Sequence, residues 1–207
     1  MGLMKSFFSQ TKKPEGFLGK VMVNGMNGGG HASLAEWGFG FIGNTKAEAA
    51  LDCGCGGGAN VKRLLERSEK AYGIDYSDIS VAKSKETNAE AIRKGICEIL
   101  RGDVCSLPFD NDSFDIVTAF ETVYFWLDIE KAFSEIYRVL KTGGVFAITN
   151  ESTGTDKTSV KFSKIIDGMN LYTGEKLKSL LEGAGFTGVE IHAHPGKPWL
   201  NVTAGKS

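Results

Sequence analysis

A glycine-rich turn is the strongest local signal for ligand binding in this sequence. It runs Leu51-Asp52-Cys53-Gly54-Cys55-Gly56-Gly57-Gly58 and ends a short apolar segment. Glycine lets a backbone approach a ligand closely, since a side chain would stand in the way. The exposed N–H groups and the dipole of a following helix favour a carboxylate or a phosphate. The turn alone is a weak signal, because Gly54-x-Gly56-x-x-Ala59 also satisfies the dinucleotide-binding pattern.

Three acidic residues, each at the end of an apolar segment, extend this candidate site. Asp52 precedes the glycines, Asp75 ends the next apolar segment, and Asp103 follows the third. An acid in the position of Asp75 accepts hydrogen bonds from ribose hydroxyls, which fits NAD as well as S-adenosylmethionine (SAM). A carboxylate at Asp103 suits an adenine amino group, with the N–H of Val104 opposite a ring nitrogen. The three acids together predict a ligand that contains adenosine.

Apolar segments that alternate with amphipathic helical patterns would hold these residues in place. Seven of them are predicted to be strands, at residues 49–53, 71–74, 97–100, 114–120, 145–149, 189–193 and 199–203. This alternation is typical of a sheet with helices on both faces. Only residues 194–198 separate the last two strands, too few for a parallel crossover, so these two should form a hairpin. The predicted fold class is α/β: a Rossmann-like, seven-stranded, mostly parallel sheet with a C-terminal antiparallel hairpin.

Capping residues and glycines mark the predicted helix ends. Ser77, Asp128 and Thr173 are placed to begin helices. Gly95 and the pair Gly143-Gly144 are placed to end two of them. The helix from Ser77 is predicted to bury an apolar face formed by Ile79, Ala82, Ala89 and Ile92.

In combination these motifs resemble those of the class I SAM-dependent methyltransferases, in the small-molecule branch that includes the ubiquinone and menaquinone enzymes. The resemblance covers roughly residues 46–193. It rests on residues 52–58, Gly73-Ile74-Asp75-Tyr76-Ser77, Gly102-Asp103-Val104 with Leu107-Pro108-Phe109, Phe114-Asp115-Ile116-Val117, and Val139-Leu140-Lys141-Thr142-Gly143-Gly144. The reversed strand that this family places in its sheet also matches the hairpin. The resemblance implies an enzyme that moves a methyl group from SAM to a small-molecule acceptor, leaving S-adenosylhomocysteine (SAH).

The resemblance also implies which residues contact the cofactor. They are Asp52, Gly54, Cys55, Gly56, Asp75, Tyr76, Asp103, Val104 and Phe120. Asp52 and the glycine turn would hold the methionine amino and carboxylate groups. Asp75 would bind the ribose hydroxyls, with Tyr76 packed on the adenine. Asp103 and Val104 would read the adenine edge.

Signals for the acceptor are weaker. Candidate bases or pocket residues are His31, Glu121, Tyr124 and Tyr172. Histidine exchanges protons near neutral pH, which suits a base, but a histidine after a glycine tract also suits a solvated turn. The run Tyr124-Phe125-Trp126 fits an aromatic acceptor pocket or a cation cage, and it fits core packing equally well.

Two segments fall outside the strand–helix alternation and are predicted to cover the carboxyl edge of the sheet. Residues 1–45 are expected to form an N-terminal helical cover over the active site. Residues 46–207 form the SAM-binding core, in which residues 151–172 are expected to be a lid insertion.

Composition narrows the possible partners. The 207 residues include 24 basic and 25 acidic ones, for a net charge of −1, so we expect no nucleic-acid partner. We find no apolar run long enough for a membrane span and no secretory leader pattern, so we expect a cytoplasmic protein without a membrane partner. The four cysteines contain no C-x-x-C pair, which predicts free thiols and no metal site. The sequence does not indicate an oligomeric state.

Two alternatives to a methyltransferase stay open at this point. A nicotinamide-linked oxidoreductase shares the glycine turn but predicts no role for Asp103 and no terminal hairpin. A non-catalytic SAM-binding module would keep every cofactor motif, because catalysis by proximity needs few essential side chains.

Overall fold

A seven-stranded sheet forms the centre of the molecule. The computed structural model describes residues 29–43 and 47–207. The strands are β1 Ala47–Cys53, β2 Ser68–Asp75, β3 Cys97–Arg101, β4 Phe114–Phe120, β5 Leu140–Asn150, β6 Thr187–Ala193 and β7 Leu200–Gly205. Their order is β3-β2-β1-β4-β5-β7-β6, with the first five parallel and β7 antiparallel to both β5 and β6. The predicted fold class and its terminal hairpin are therefore confirmed.

Helices cover both faces of this sheet. They are α1 Gly29–Phe39, α2 Ala59–Leu64, α3 Asp78–Thr87, α4 Ala89–Arg93, α5 Ile129–Val139, α6 Lys157–Ser163 and α7 Gly174–Gly183, with a 3₁₀ turn at Val123–Phe125. Buried side chains of α1, α2 and α3, such as Phe39 and Leu64, belong to one apolar cluster. Those of α5 and α7, such as Phe133 and Leu177, belong to a second. The site at the sheet edge thus rests on two packed layers.

The predicted helix starts are confirmed by capping hydrogen bonds. The side chains of Ser77, Asp128 and Thr173 each accept a hydrogen bond from the backbone N–H three residues later, at 3.4, 2.9 and 3.2 Å. Each bond satisfies a donor that the first helical turn leaves unpaired.

The helix predicted from Ser77 to Gly95 is instead two helices, α3 and α4, which meet at Asn88. Its predicted buried face is also wrong. Ile79 and Ile92 are half-buried, and Ala82 and Ala89 are exposed. The residues that are buried are Ser80, Val81, Ser84 and Asn88. Small and polar side chains occupy this face because α3 lies directly against the glycine turn.

The prediction that Gly143-Gly144 ends a helix is wrong as well. Helix α5 ends at Val139, and β5 begins at the next residue. Both glycines lie inside β5, where the pairing with β4 shifts register from Phe114–Leu140 to Ile116–Val145. Gly143 has a φ of +81°, so glycine serves this irregularity of the strand and not a helix terminus.

The described part of the predicted N-terminal cover is α1, since residues 1–28, 44 and 45 lie outside the described residues. Gly38 of α1 packs against Thr149 of β5, where an added Cβ would come within 2.4 Å of Thr149 Oγ1. Trp37 contacts the terminal hairpin through His194 and Trp199, with ring centroids 5.6 and 5.9 Å away. Among residues 29–43 and 47–207, we find no helix long and apolar enough to cross a membrane.

The predicted lid segment, residues 151–172, contains α6 and is tied to the β4 side of the sheet. Asp156 caps α6 and accepts a hydrogen bond from the Ser152 hydroxyl at 2.8 Å. The N–H of Asn170 donates to the carbonyl of Tyr124 at 2.8 Å. The segment therefore contacts the loop that follows β4.

Candidate cofactor and acceptor site

The sheet topology opens a crevice between the carboxyl ends of β1 and β4. The strand order reverses there, since the chain moves outward from β1 to β3 and then returns to β4 on the other side. Ligands of open α/β sheets bind at such reversal points. A cleft of about 280 Å³ and a smaller pocket of about 70 Å³ lie in this region. Both are lined by Gly54, Gly56, Phe120 and Glu121, so they meet at that point.

The two ends of the larger cleft differ in chemistry. The loops after β2 and β3 contribute Asp75, Tyr76, Asp103 and Val104. The loop after β4 contributes Phe120, Glu121, Phe125, Trp126 and Leu127. One end thus carries carboxylates and the other is mainly aromatic and apolar.

Asp75 lines the cleft and is held by two backbone amides. Its Oδ1 accepts a hydrogen bond from the N–H of Ser77, and its Oδ2 accepts one from the N–H of Gly56, both at 2.9 Å. Burial raises the pKa of Asp75, while these two amides act in the opposite direction. Asp75 lines the cleft, where a charged carboxylate is suited to attract ribose hydroxyls.

The glycine turn leaves room for a ligand. Gly56 has a φ of +50°, and a Cβ added there would meet no atom within 4 Å. Gly54 has a φ of +76°, and a Cβ there would lie 2.1 Å from Thr122 Oγ1. Cys55 is buried, lines the smaller pocket and points its thiol towards Ser84 Oγ at 3.7 Å. The turn is therefore narrow on its β4 side and open at Gly56.

Asp52 lies beneath the turn and lines neither pocket. It is 1% exposed, and the hydroxyl of Thr118 donates to its Oδ1 at 2.7 Å. Burial raises the pKa of Asp52 to about 7, against the opposing effect of that hydrogen bond. This carboxyl therefore changes charge near neutral pH.

The residues predicted to hold adenine gather at the acidic end of the cleft. Asp103 is exposed, and its Oδ1 accepts a hydrogen bond from the N–H of Cys105 at 2.9 Å. Both Val104 and Tyr76 line the cleft. Val104 is buried, whereas Tyr76 is 39% exposed. An exposed ring beside a carboxylate and an apolar floor is a suitable platform for a flat heterocycle.

The four acceptor-side candidates separate into two pairs. His31 lines the smaller pocket and Glu121 lines both, so the structure brings these two to the same space. Tyr124 and Tyr172 line neither. The buried Tyr124 donates its hydroxyl hydrogen bond to Glu121 Oε1 at 3.0 Å, and burial raises its pKa. Burial also raises the pKa of Tyr172, which lies in the lid segment.

Several wall residues carry no motif that would have revealed them. Asn60 and Arg63 of α2 line the smaller pocket, where Arg63 Nη1 donates to Asn60 Oδ1 at 3.1 Å. Thr122 and Leu127 line the cleft, and Leu127 is 88% exposed. Trp126 fits both interpretations of the run Tyr124-Phe125-Trp126, a pocket wall and core packing, since it lines the cleft but is only 7% exposed. Among the described residues, we find no group of three or more acidic, histidine or cysteine side chains placed to hold a metal.

These features distinguish two classes that share the glycine turn. A plain dinucleotide-binding domain has no reversed strand like β7, which lies between β5 and β6, and it leaves an acid after β3 without a role. Class I SAM-dependent methyltransferases have both features, and this chain is similar to them in its sheet and in its cleft.

Comparisons with known proteins agree with this class. Residues 51–148 match the family model described as a methyltransferase domain, which implies the use of SAM. The chain is 27% identical over 172 residues to the uncharacterized methyltransferase YdaC of Bacillus subtilis, covering 83% of this chain and 90% of that protein. It is 29% identical over 168 residues to 24-methylenesterol C-methyltransferase 3 of Arabidopsis thaliana, covering 73% of this chain and 46% of that enzyme. The chain thus spans less than half of that plant relative.

A solved structure shows the same fold. It is the putative methyltransferase in a complex with the Haloferax volcanii Trm112 methyltransferase activator. The TM-score is 0.82 at 19% identity, and the match covers 96% of each chain.

Proposed function

We propose that this chain transfers the methyl group of SAM to a small-molecule acceptor by in-line displacement. The observation that carries the proposal is the division of one cleft into an acidic end, with Asp75 and Asp103, and an aromatic end after β4. An adenosine bound at the acidic end leaves the aromatic end for the acceptor.

The cofactor would be held by residues from three loops. We assign Asp75 to the ribose hydroxyls, Tyr76 to the adenine face, and Asp103 with Val104 to the adenine edge. The main-chain groups of residues 54–56 would hold the methionine part, with Phe120 beside it. Asp52, beneath the turn, would attract the methionine amino group through its charge.

The chain's own contribution to the chemistry is orientation and exclusion of water. SAM supplies a methyl group that is already activated, so the protein needs no nucleophile of its own. Phe125, Trp126 and Leu127 would shield the displacement from solvent, and the lid segment would hold the acceptor in line. His31 and Glu121 are the proposed bases for an acceptor that must lose a proton. Tyr124 and Tyr172 line neither pocket, so they would influence the acceptor only through neighbouring residues.

An apolar acceptor suits the aromatic end of the cleft best. The similarity to a plant sterol C-methyltransferase supports an apolar acceptor, and it supports a carbon atom of that acceptor as a candidate for methylation. Four free, buried cysteines are compatible with a reducing compartment, so a cytoplasmic location stays part of the proposal. The balanced charge supports the expectation that nucleic acid is not a partner.

Calorimetry with SAM, SAH, NAD and NADP tests the cofactor assignment. We expect SAM and SAH to bind and the two nicotinamides not to bind. Asp75→Asn should weaken the binding of SAM and of SAH by at least about tenfold, because the variant lacks the negative charge that accepts hydrogen bonds from the ribose hydroxyls. Asp78→Asn is the matched control, since Asp78 is exposed and pairs with Arg101 outside the cleft. Binding of a nicotinamide, or equal effects of the two variants, would contradict the assignment.

Turnover separates an enzyme from a binding module. Radiolabelled SAM incubated with fractionated small molecules should yield a labelled product in at least one apolar fraction. Tight SAM binding with no labelled product in any fraction would support the non-catalytic module instead.

A further inference from the structure

Glu121 occupies the junction of the two pockets. It is the first residue after β4, and it lines both spaces together with Gly54, Gly56 and Phe120. Its φ is +57°, in the left-handed region that residues other than glycine rarely adopt. The backbone therefore turns sharply at the point where the cleft passes from its acidic end to its aromatic end.

Among the described residues, two groups donate hydrogen bonds to the same oxygen of the Glu121 carboxyl. Its Oε1 accepts hydrogen bonds from the Tyr124 hydroxyl, at 3.0 Å, and from the N–H of Glu151. Its Oε2 accepts neither of these bonds. The group is thus anchored to the loop after β4 and to the start of the lid segment while it forms a wall of both pockets.

The acidic side chains near Glu121 disfavour ionisation of its carboxyl group. Burial raises its pKa to about 8, and the charges of Glu151 and Asp156 act in the same direction. Asp75 and Asp103 line the larger cleft, and His31 and Arg63 line the smaller pocket opposite. Without a ligand, these effects favour the protonated form of the carboxyl near neutral pH.

We propose that Glu121 is the counter-charge of the methyl-transfer site: it is ionised when the cofactor sulfur is positive and protonated when that sulfur is neutral. This proposal rests on the proposed function, because it places the sulfur between the adenosine end and the smaller pocket, where Glu121 lies. A cationic ligand beside a buried carboxyl favours its charged form. Glu121 therefore releases its proton to solvent when SAM binds and keeps it when SAH binds.

The same group supplies a destination for the proton of the acceptor. As the carbon–sulfur bond breaks, its electron pair stays on sulfur, and a new bond joins the methyl carbon to the acceptor atom. An acceptor that loses a proton in this step gives it to the Glu121 carboxylate. The combined charge of Glu121 and the sulfur is then zero before and after transfer, which avoids an unpaired charge in a poorly solvated site.

Proton release on binding tests the proposal without knowledge of the acceptor. Calorimetry of the full chain in buffers of different ionisation enthalpy measures the protons exchanged per bound ligand. At about pH 7 the wild-type protein should release up to about one more proton with SAM than with SAH. Its affinity for SAM should rise by up to about tenfold per pH unit until the pH reaches the pKa of Glu121. Equal proton release with SAM and SAH would overturn the proposal.

Variants assign the proton to its residue. Glu121→Gln retains an oxygen for both hydrogen bonds, and it should abolish the difference between SAM and SAH, both in proton release and in the pH dependence of affinity. Tyr124→Phe keeps the carboxyl but removes one donor, so the difference should persist and its pH midpoint should move upwards. Asp52→Asn should also keep the difference, although Asp52 titrates in the same range. A difference that survives Glu121→Gln, or disappears in Asp52→Asn, refutes the assignment to Glu121. Failure of SAM to bind at all would instead refute the proposed function.

Discussion

Replacing Gly58 by alanine tests whether the close packing of the glycine turn against α3 requires glycine at this position. Gly58 precedes α2 with a φ of +82°. A Cβ added there would lie 2.4 Å from Ser84 Oγ, 2.5 Å from Asn88 Nδ2 and 2.8 Å from Ser84 Cα. The last of these is a backbone atom, so α3 must shift. The shift would strain the hydrogen bond from Asn88 Nδ2 to the carbonyl of Gly58, now 3.0 Å long.

The expected cost has two parts. An L-residue in the left-handed region costs about 1–2 kcal/mol. Overpacking against a helix costs a further 1–3 kcal/mol, roughly. Gly143→Ala is the matched control, because Gly143 has a φ of +81° and a Cβ there would meet no atom within 4 Å. Only the first cost applies to that variant.

Urea denaturation of the two variants separates these parts. We expect Gly58→Ala to lower the free energy of unfolding by roughly 2–5 kcal/mol and Gly143→Ala by about 1–2 kcal/mol. Gly58→Ala should also weaken SAM binding, since the shift of α3 moves Ser77 and Ser80 beside Asp75. Equal destabilisation by the two substitutions would show that close packing on α3 does not explain the glycine.

Two further predictions concern stability. The pKa of Asp52 is about 7 in the folded protein and near 3.8 when unfolded, so the wild-type protein loses stability as the pH rises between these values. Asp52→Asn removes this loss, and its advantage in free energy of unfolding should grow by up to about 4 kcal/mol over that range in urea titrations. A constant difference would contradict the raised pKa. Asp128→Ala removes the cap of α5 and should cost about 1 kcal/mol in the same assay, whereas Asp110→Ala, in an exposed turn, should cost less.

The sheet was readable from the sequence because its signals are local. The apolar segments predicted the strands to within a few residues, apart from the start of β5. Three capping residues predicted helix starts, and a short connection predicted the hairpin. The failures occurred where tertiary packing overrides the local pattern. Ser80 and Ser84 are buried because α3 approaches a glycine backbone, and no apolar periodicity reports such a contact. Gly143 looked like a helix stop because a strand irregularity uses the same residue type.

The acidic end of the cleft could be predicted from the sequence more fully than its aromatic end. Asp75 is the last residue of β2 and Asp103 follows β3 by two residues, and parallel strands bring their carboxyl ends together. Arg63 and Leu127 reach the pockets through the path of a helix and a loop, which residue types alone do not specify. The position of Asp52 beneath the turn, out of contact with either pocket, also depends on packing that the motif does not encode.

The junction at Glu121 shows why the chemistry of this fold is concentrated at one strand end. The reversal of strand order sends the chain after β1 and after β4 in different directions, so these two loops face each other across the crevice. The β1 loop has no side chains to offer at Gly54 and Gly56, because its backbone must lie close to the ligand. Glu121, on the β4 side, is the ionisable side chain that lines both pockets. The φ of +57° at Glu121 turns the backbone directly after β4, and the Glu121 side chain lines both pockets.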